Sequence, residues 1–154
     1  MWMTFKKDHD LKEDTMLRVK QLTADYLIHP IGVSKPPQFG WIIDSDRTHV
    51  MQQTFHLQIA RDPGFQHLVF DSGVVKSDQS AHVKAEGLEL ESSTTYYWRV
   101  QITDGVEASE WSEPATFMTA LLSNEEWKAQ FVTAELKEDA DNSKGTYVRK
   151  SFAA

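Results

Sequence analysis

The clearest pattern in the chain is an alternation of large apolar and polar side chains over residues 95–103. A period of two is typical of a β-strand that turns one face to a core and the other to solvent. The apolar positions are Tyr96, Trp98, Val100 and Ile102, and the positions between them are Tyr97, Arg99, Gln101 and Thr103. The segment therefore predicts a central strand, with Tyr96 and Trp98 as structural core residues.

The residues just before this strand predict a tyrosine corner. Leu90 precedes Tyr96 by six residues, and Ser92 and Thr94 continue the spacing of two. In a tyrosine corner the ring packs beneath a strand-to-strand crossover, and its hydroxyl bonds to the upstream backbone. Such a partner is needed, because a buried phenol left unpaired costs about 1–3 kcal/mol.

Other short segments show the same alternation or end at turn residues. Pro30 predicts a sheet edge or a kink, because proline cannot donate a ladder hydrogen bond. Turns are expected at Asp62-Pro63-Gly64, Asp71-Ser72-Gly73 and Asp104-Gly105. The predicted strands cover residues 17–22, 26–33, 39–43, 51–60, 67–70, 80–83, 95–103 and 115–118.

This series of short strands predicts an all-β fold, an antiparallel β-sandwich of the fibronectin type III or immunoglobulin kind. We expect the sandwich to occupy residues 16–120. Residues 1–15 carry charge on every side and predict a polar leader. Residues 121–154 form a short C-terminal extension, interpreted as a linker and the truncated start of a further β-domain.

Within the extension, Ser123 and Glu126 have the spacing of a capping box, which predicts a helical turn over residues 124–128. Residues 131–132 and 147–152 look like isolated strands, which cannot form a core of their own. We expect part of the extension to add to a sheet edge, either within one chain or by self-association between chains.

Composition narrows the function classes. The 154 residues carry a formal net charge of −7, which argues against nucleic acid as a partner, because phosphate binding needs clustered Lys and Arg. The sequence has no Cys, so it offers no disulfide and no thiolate chemistry. The leader lacks the apolar run of a signal peptide, and no stretch reaches membrane-spanning length. A cytoplasmic location without a membrane partner is expected.

Side chains that carry chemistry show no catalytic or metal-binding spacing. The histidines have no i, i+4 pair and no His-Glu-x-x-His motif, so edge and surface roles are favoured over a metal site. A glycosidase needs two carboxylates on opposite sides of a sugar in a cleft, whereas the glutamates of this sequence that could serve fall in predicted loops. We expect no catalytic residue, no metal and no cofactor. The histidines are His9, His29, His49, His56, His67 and His82, and the loop acids are Glu86, Glu89, Glu91, Glu107, Glu110 and Glu113.

The aromatic side chains outside the predicted core leave three arrangements open. Trp41 and Trp98 lie on the apolar faces of their strands and are expected in the core. Tyr97 faces outward and Trp111 precedes the last strand, so these two are candidates for a sugar platform or for an interdomain contact. A third arrangement stacks Arg99 on Trp111, within about 6 Å of the indole ring.

Several motifs together resemble a known family. The corner and strand at residues 90–100 resemble those of fibronectin type III domains, with Ser92 where proline is common. The ordered series over residues 16–152 resembles the N-terminal module of bacterial α-L-rhamnosidases. Its pieces are His29-Pro30-Ile31-Gly32, Pro37-Gln38-Phe39-Gly40-Trp41, residues 53–60, residues 70–75, residues 77–80, residues 96–100, Trp111-Ser112-Glu113-Pro114, residues 119–122, residues 127–131 and residues 147–152.

The resemblance implies a non-catalytic fragment of a larger glycoside hydrolase. Members of that family hydrolyse terminal α-L-rhamnosyl groups with inversion, using an acid and a base on a helical barrel further along the polypeptide. No catalytic residue carries over to this chain. The expected role is to pack against other domains of the same polypeptide. A carbohydrate-binding module and a generic protein-interaction domain remain the alternatives.

Overall fold

A computed structural model of the chain describes residues 16–130 together with residues 149 and 151. Within this part the chain forms two β-sheets and no α-helix. The polar leader at residues 1–15 and the strand predicted at residues 131–132 lie outside the described residues, and so does most of the segment predicted as a strand at residues 147–152. No described helix is long and apolar enough to span a bilayer.

Eight strands build the two sheets. They are β1 (Leu17–Ala24), β2 (Ile31–Val33), β3 (Gln38–Ser45), β4 (Thr54–Ala60), β5 (Leu68–Lys76), β6 (Val83–Lys84), β7 (Thr95–Thr103) and β8 (Ala115–Thr119). One sheet has the order β1-β3-β6 and the other the order β2-β8-β7-β4-β5. The neighbours pair antiparallel, except that β2 runs parallel to β8 at the sheet edge. The predicted all-β sandwich is confirmed.

The core lies between the inward faces of the two sheets. Phe39 of the three-stranded sheet packs on Trp98, with ring centroids 4.7 Å apart, and on Phe117 at 6.0 Å. Trp41 packs edge-on against Phe55 at 5.5 Å. All five side chains are buried, and complete burial of a large apolar side chain contributes about 1.5–3 kcal/mol. The alternation along residues 96–102 thus marks the side of β7 that faces the core.

The predicted tyrosine corner is present. The ring of Tyr96 stacks on Phe117 with centroids 5.2 Å apart, and its hydroxyl accepts a hydrogen bond of 2.8 Å from the backbone N–H of Glu91. The Thr119 hydroxyl donates to the Glu91 carbonyl at 2.6 Å. Together these bonds fasten the crossover to the end of β8.

One predicted turn is wrong. Residues Asp71-Ser72-Gly73 do not end a strand, because β5 continues through them to Lys76. The register against β4 shifts between His56 and Gln58, and Gly73 has a φ of +59°, as in a β-bulge. The sequence alone does not separate the two structures, because a β-bulge and a turn both favour Asp, Ser and Gly.

Three other strands begin later in the structure than the sequence predicts. The segment at residues 26–33 contains only the short β2, because Tyr26 and His29 have positive φ and belong to a loop. The strand predicted from residue 51 begins at Thr54. The strand predicted over residues 80–83 lies instead at Val83–Lys84 and shares only Val83 with the prediction.

The helical turn after the sandwich forms, although its cap differs from the prediction. It is a single 3-10 turn, Asn124–Glu126, in which the Ser123 hydroxyl accepts from the Glu125 N–H at 3.2 Å. The Glu126 carboxylate does not return to Ser123 but accepts a hydrogen bond from the Ser92 hydroxyl. The turn is therefore attached to the corner that precedes β7.

Candidate functional site

An organised polar surface lies on the outer face of the five-stranded sheet. Arg99 projects there from β7, and its guanidinium carbon lies 4.4 Å from the ring centroid of Trp111. On the other side it lies 4.0 Å from the ring centroid of Phe65. The predicted stacking of Arg99 on Trp111 is confirmed, and Phe65 completes an aromatic sandwich that the sequence did not reveal. We call this cluster the arginine ladder; its members are His56, Gln58, Phe65, Asp71, Arg99 and Trp111.

A chain of hydrogen bonds links the guanidinium to β4 and β5. Gln58 accepts from Arg99 Nε at 3.1 Å and from Nη2 at 2.8 Å. The amide nitrogen of Gln58 then donates to Asp71 Oδ2 at 2.8 Å. Asp71 Oδ1 also lies 2.6 Å from His56 Nε2 and accepts from the Gly73 N–H at 2.8 Å. The bulge at residues 71–73 therefore has a role: it directs the carboxylate into the ladder.

Two ionisable groups of the ladder have shifted pKa values. Partial burial raises the pKa of Asp71, but the hydrogen bonds from Gly73, Gln58 and His56 outweigh it, and the net pKa lies below the ordinary value of 3.8. Burial lowers the pKa of Arg99, opposed by the charge of Asp71. The guanidinium stays charged because its pKa starts far above neutrality. The ladder therefore joins a guanidinium cation and a carboxylate through the side-chain amide of Gln58.

Two serines hold Trp111 in place. The Ser109 hydroxyl accepts from the Ile102 N–H at 3.0 Å, and the Ser112 hydroxyl accepts from the Val100 N–H at 3.1 Å. Their own N–H groups donate to the carbonyls of Ile102 and Val100, at 2.9 Å each. Residues 109–112 thus follow β7 as a continuation of its pairing. Ser112 enters the sequence-based prediction only within the motif Trp111-Ser112-Glu113-Pro114 and Ser109 does not enter it, so the hydrogen bonds of both serines were not predicted.

Tyr97 and Trp111, the residues predicted as a sugar or interdomain contact, have separate surroundings in the sheet. Tyr97 and Trp111 are both half-buried, and no ring contact joins them among the described residues. Trp111 is engaged by Arg99 and by His56, whose ring centroid lies 4.9 Å away. Tyr97 lies between Ala60 and Thr116 in the sheet. Trp41, Tyr96 and Trp98 lie in the core, where no ligand reaches them.

Trp111 also lines an open groove of about 510 Å³ between β1 and residues 107–113. Glu107, Glu110 and Glu113 border it, all from the same segment. The facing side is formed by residues 16–19, which contribute Arg18 and no carboxylate. A glycosidase needs two carboxyl groups opposed across the sugar, and this groove has acids on one side only.

The five histidines of residues 16–130 form no metal-binding group. His56 pairs with Asp71, and His82 lies 2.9 Å from the side-chain oxygen of Gln38 and 3.0 Å from the hydroxyl of Tyr26. Across residues 16–130, no group of three or more His, Asp or Glu side chains could hold a metal ion.

A second charged cluster holds the turn that follows β7. Asp104 and Glu107 begin and end a four-residue turn, in which the Asp104 N–H donates to the Glu107 carbonyl at 3.2 Å. Arg47 bonds to Asp104 and lies 3.4 Å from Glu107 Oε2. Burial raises the pKa of Asp104. Hydrogen bonds from the backbone N–H groups of Glu107 and Val106 and from the Arg47 side chain outweigh this effect, so the net pKa of Asp104 lies below its ordinary value. This cluster fixes the turn predicted at Asp104-Gly105.

Fold and surface together define an immunoglobulin-like β-sandwich module with an outward arginine ladder. A sequence profile described as "Rha78A-like, N-terminal immunoglobulin domain" matches residues 19–123. The chain therefore belongs to the family of Rha78A-like N-terminal immunoglobulin domains.

Known relatives carry this module as a small part of a longer polypeptide. The chain is 32% identical over 136 residues to an α-L-rhamnosidase of Formosa agariphila, covering 84% of this chain and 14% of the relative. The crystal structure of the Streptomyces avermitilis α-L-rhamnosidase complexed with L-rhamnose matches 77% of this chain and 12% of its own, with 32% identity and a TM-score of 0.73. The α-L-rhamnosidase structure from Dictyoglumus thermophilum matches with 28% identity and a TM-score of 0.71, over 76% of this chain and 14% of its own. The chain thus spans about one-eighth to one-seventh of the length of these relatives.

Proposed function

We propose that this chain is a non-catalytic structural module of a bacterial, cytoplasmic α-L-rhamnosidase. The parent enzyme hydrolyses terminal α-L-rhamnosyl groups with inversion in a domain outside this chain. The module occupies residues 16–120, after a leader at residues 1–15. Residues 121–154 are the linker and the start of the next β-domain. Its partners are the other domains of the same polypeptide.

The observation that carries the proposal is that the polar side chains of the outer face bond to one another and do not line a cleft between opposed acids. The sandwich interior is filled by apolar groups, and the charged groups of the outer face are bonded to one another in the arginine ladder. A catalytic pair of acids needs a cleft that separates them by about 6.5–9.5 Å around a water molecule in an inverting enzyme. The groove beside Trp111 has its acids on one side. These features suit a rigid body that positions its neighbours.

Deleting residues 1–120 from the full-length rhamnosidase tests the proposal. The expected result is a lower unfolding temperature and weaker expression, with the kcat of the surviving folded fraction within a few-fold of the intact enzyme. The matched control replaces Trp111 by Ala in the intact enzyme, which leaves the module in place. A deletion that abolishes turnover while the remaining domains keep their unfolding temperature would contradict the scaffold role.

A second candidate function is binding of a carbohydrate in the groove beside Trp111. An aromatic ring bordered by Arg18, Glu110 and Glu113 offers the apolar face and polar partners that sugars use. Calorimetric titration of the chain with L-rhamnose and with an aryl α-L-rhamnoside separates the two functions. A scaffold shows no heat of binding, whereas saturable heat that Trp111→Ala removes would favour the binding module.

Self-association through residues 121–154 is a further part of the proposal. Sedimentation of the chain with and without these residues measures it. A shift from dimer to monomer on truncation supports edge pairing, and a monomer in both cases excludes it.

A further inference from the structure

One end of the sandwich carries apolar side chains that the domain's own core does not use. Tyr26, Leu27, Ile28 and Ile31 are 73%, 59%, 61% and 82% exposed. All four belong to the loop between β1 and β2 or to the start of β2. A monomeric soluble protein rarely gathers this much apolar surface in one place unless it binds something. We call these four residues the apolar loop.

The apolar loop is held in one conformation. Ala24 and Leu27 exchange two backbone hydrogen bonds of 2.9 and 3.0 Å, and Asp25 bonds to the backbone of Gln38 through both its N–H and its carboxylate. His29 Nδ1 accepts from the Thr116 N–H at 3.1 Å. Asp25, Tyr26 and His29 keep positive φ angles of 48°, 66° and 51°. Such costly backbone geometry persists only when surrounding contacts over-determine it. The outward apolar side chains are therefore presented rigidly, which favours binding.

A groove lies beside the loop. Val19 and Leu22 of β1 face Pro114 and Ala115 across a mainly apolar depression of about 530 Å³, and Ile28 stands at its margin. β1 is the edge strand of its sheet. The surface thus combines protruding side chains with an adjacent hollow, a shape that suits a folded protein surface better than a small molecule.

The position of the chain exit identifies the occupant. β2 runs parallel to β8, with Ile31 opposite Met118 and Val33 opposite Thr119. The backbone leaves the sandwich at Ala120, whose N–H donates to Val33. Thr116, beneath His29, precedes this exit by four residues, or about 13 Å of extended strand. In this family the module is N-terminal, so the next domain starts from that exit. Leu121 and Trp127, 42% and 60% exposed, extend the apolar character along it.

We propose that the apolar loop and its groove form the surface on which the next domain of the same polypeptide docks. This inference rests on the proposed function and names the surface that the scaffold uses. The partner surface is expected to be apolar at its centre, because the loop's exposed side chains are mainly apolar and carry no charge.

Hydrogen exchange followed by mass spectrometry tests the proposal on the 154-residue chain and on the full-length rhamnosidase. Amides of residues 25–32 are expected to exchange at least tenfold more slowly in the full-length protein. The turn at residues 104–107, at the opposite end of the sandwich, is expected to exchange equally in both. Slower exchange at another face with none at residues 25–32 would overturn this docking site but keep the scaffold role. Equal exchange at every face would overturn both.

Paired variants provide the second arm. L27S/I28S is expected to leave the unfolding temperature of the 154-residue chain unchanged, and to lower that of the full-length enzyme and restore fast exchange at residues 25–32. Val106→Ser is the matched control, because Val106 is 85% exposed in the opposite turn; it should change neither protein. If L27S/I28S unfolds the isolated chain, Ile31→Thr keeps strand propensity and replaces it. Variants that behave like Val106→Ser in the full-length enzyme would contradict the proposal.

Discussion

The tyrosine corner offers the sharpest test of how the sandwich is held together. Tyr96→Phe removes one oxygen and keeps the ring that stacks on Phe117. The lost group accepts a 2.8 Å hydrogen bond from the Glu91 N–H. Leaving a partly buried donor without its partner costs about 1–2 kcal/mol. The bond from Thr119 to the Glu91 carbonyl remains, so the crossover loosens but does not detach.

Urea unfolding followed by tryptophan fluorescence measures this change. We expect a lower midpoint with an unchanged m-value, because the surface exposed on unfolding is the same. In a thermal scan, each kcal/mol corresponds to roughly 4 °C. Tyr26→Phe is the matched control: its hydroxyl contacts His82 on the surface, so the change should stay within about 0.5 kcal/mol. Equal midpoints for the two variants would refute the assignment of the corner.

Three further predictions concern the arginine ladder, the carboxylate of Asp104 in the turn after β7, and the core. Arg99→Lys should lower stability by about 1 kcal/mol in urea unfolding, because an ammonium cannot stack between Phe65 and Trp111 while bonding Gln58 twice; Arg61→Lys, at an exposed ion pair, should change it less. The folded-state pKa of Asp104 is lowered, so its contribution to stability is present above the ordinary pKa and is lost as the pH falls through the folded value. Asp104→Asn should therefore destabilise the chain at neutral pH, and the difference in stability from wild type should stay constant until the pH approaches the ordinary value of 3.8 and should narrow below it; a difference that does not change in acid would contradict the charged state of Asp104. Phe39→Ala should cost about 3–5 kcal/mol, because a fully buried ring 4.7 Å from Trp98 is deleted; a cost below about 1 kcal/mol would mean that the core is not packed there.

The sequence predicts the fold well where a strand has one buried face. Residues 95–103 alternate without a break, and the structure reproduces that alternation in burial along β7. The prediction is wrong where the same short run of residues is compatible with two backbone conformations. Asp71-Ser72-Gly73 suits both a turn and a bulge, and only the pairing of β5 with β4 decides between them. Likewise, Asp25 and His29 have positive φ in a loop that is held by contacts with the distant residues Gln38 and Thr116.

The candidate site shows the same division. The stacking of Arg99 on Trp111 could be predicted because both residues lie close to one strand in sequence. Phe65, Gln58 and Asp71 could not, since they reach the ladder only through the pairing of β4 with its two neighbours. The hydrogen bonds of Ser109 and Ser112 to β7 were not predicted, because a serine in a loop carries no periodic signal.

The central claim is that this module contributes structure and no chemistry to its enzyme. Incubating the purified 154-residue chain with p-nitrophenyl α-L-rhamnoside tests it most directly. We predict release of p-nitrophenol at the rate of the buffer blank, at enzyme concentrations where a full-length rhamnosidase consumes the substrate. Turnover that co-purifies with the chain, and that substitution of Glu110 or Glu113 beside the groove abolishes, would contradict the account.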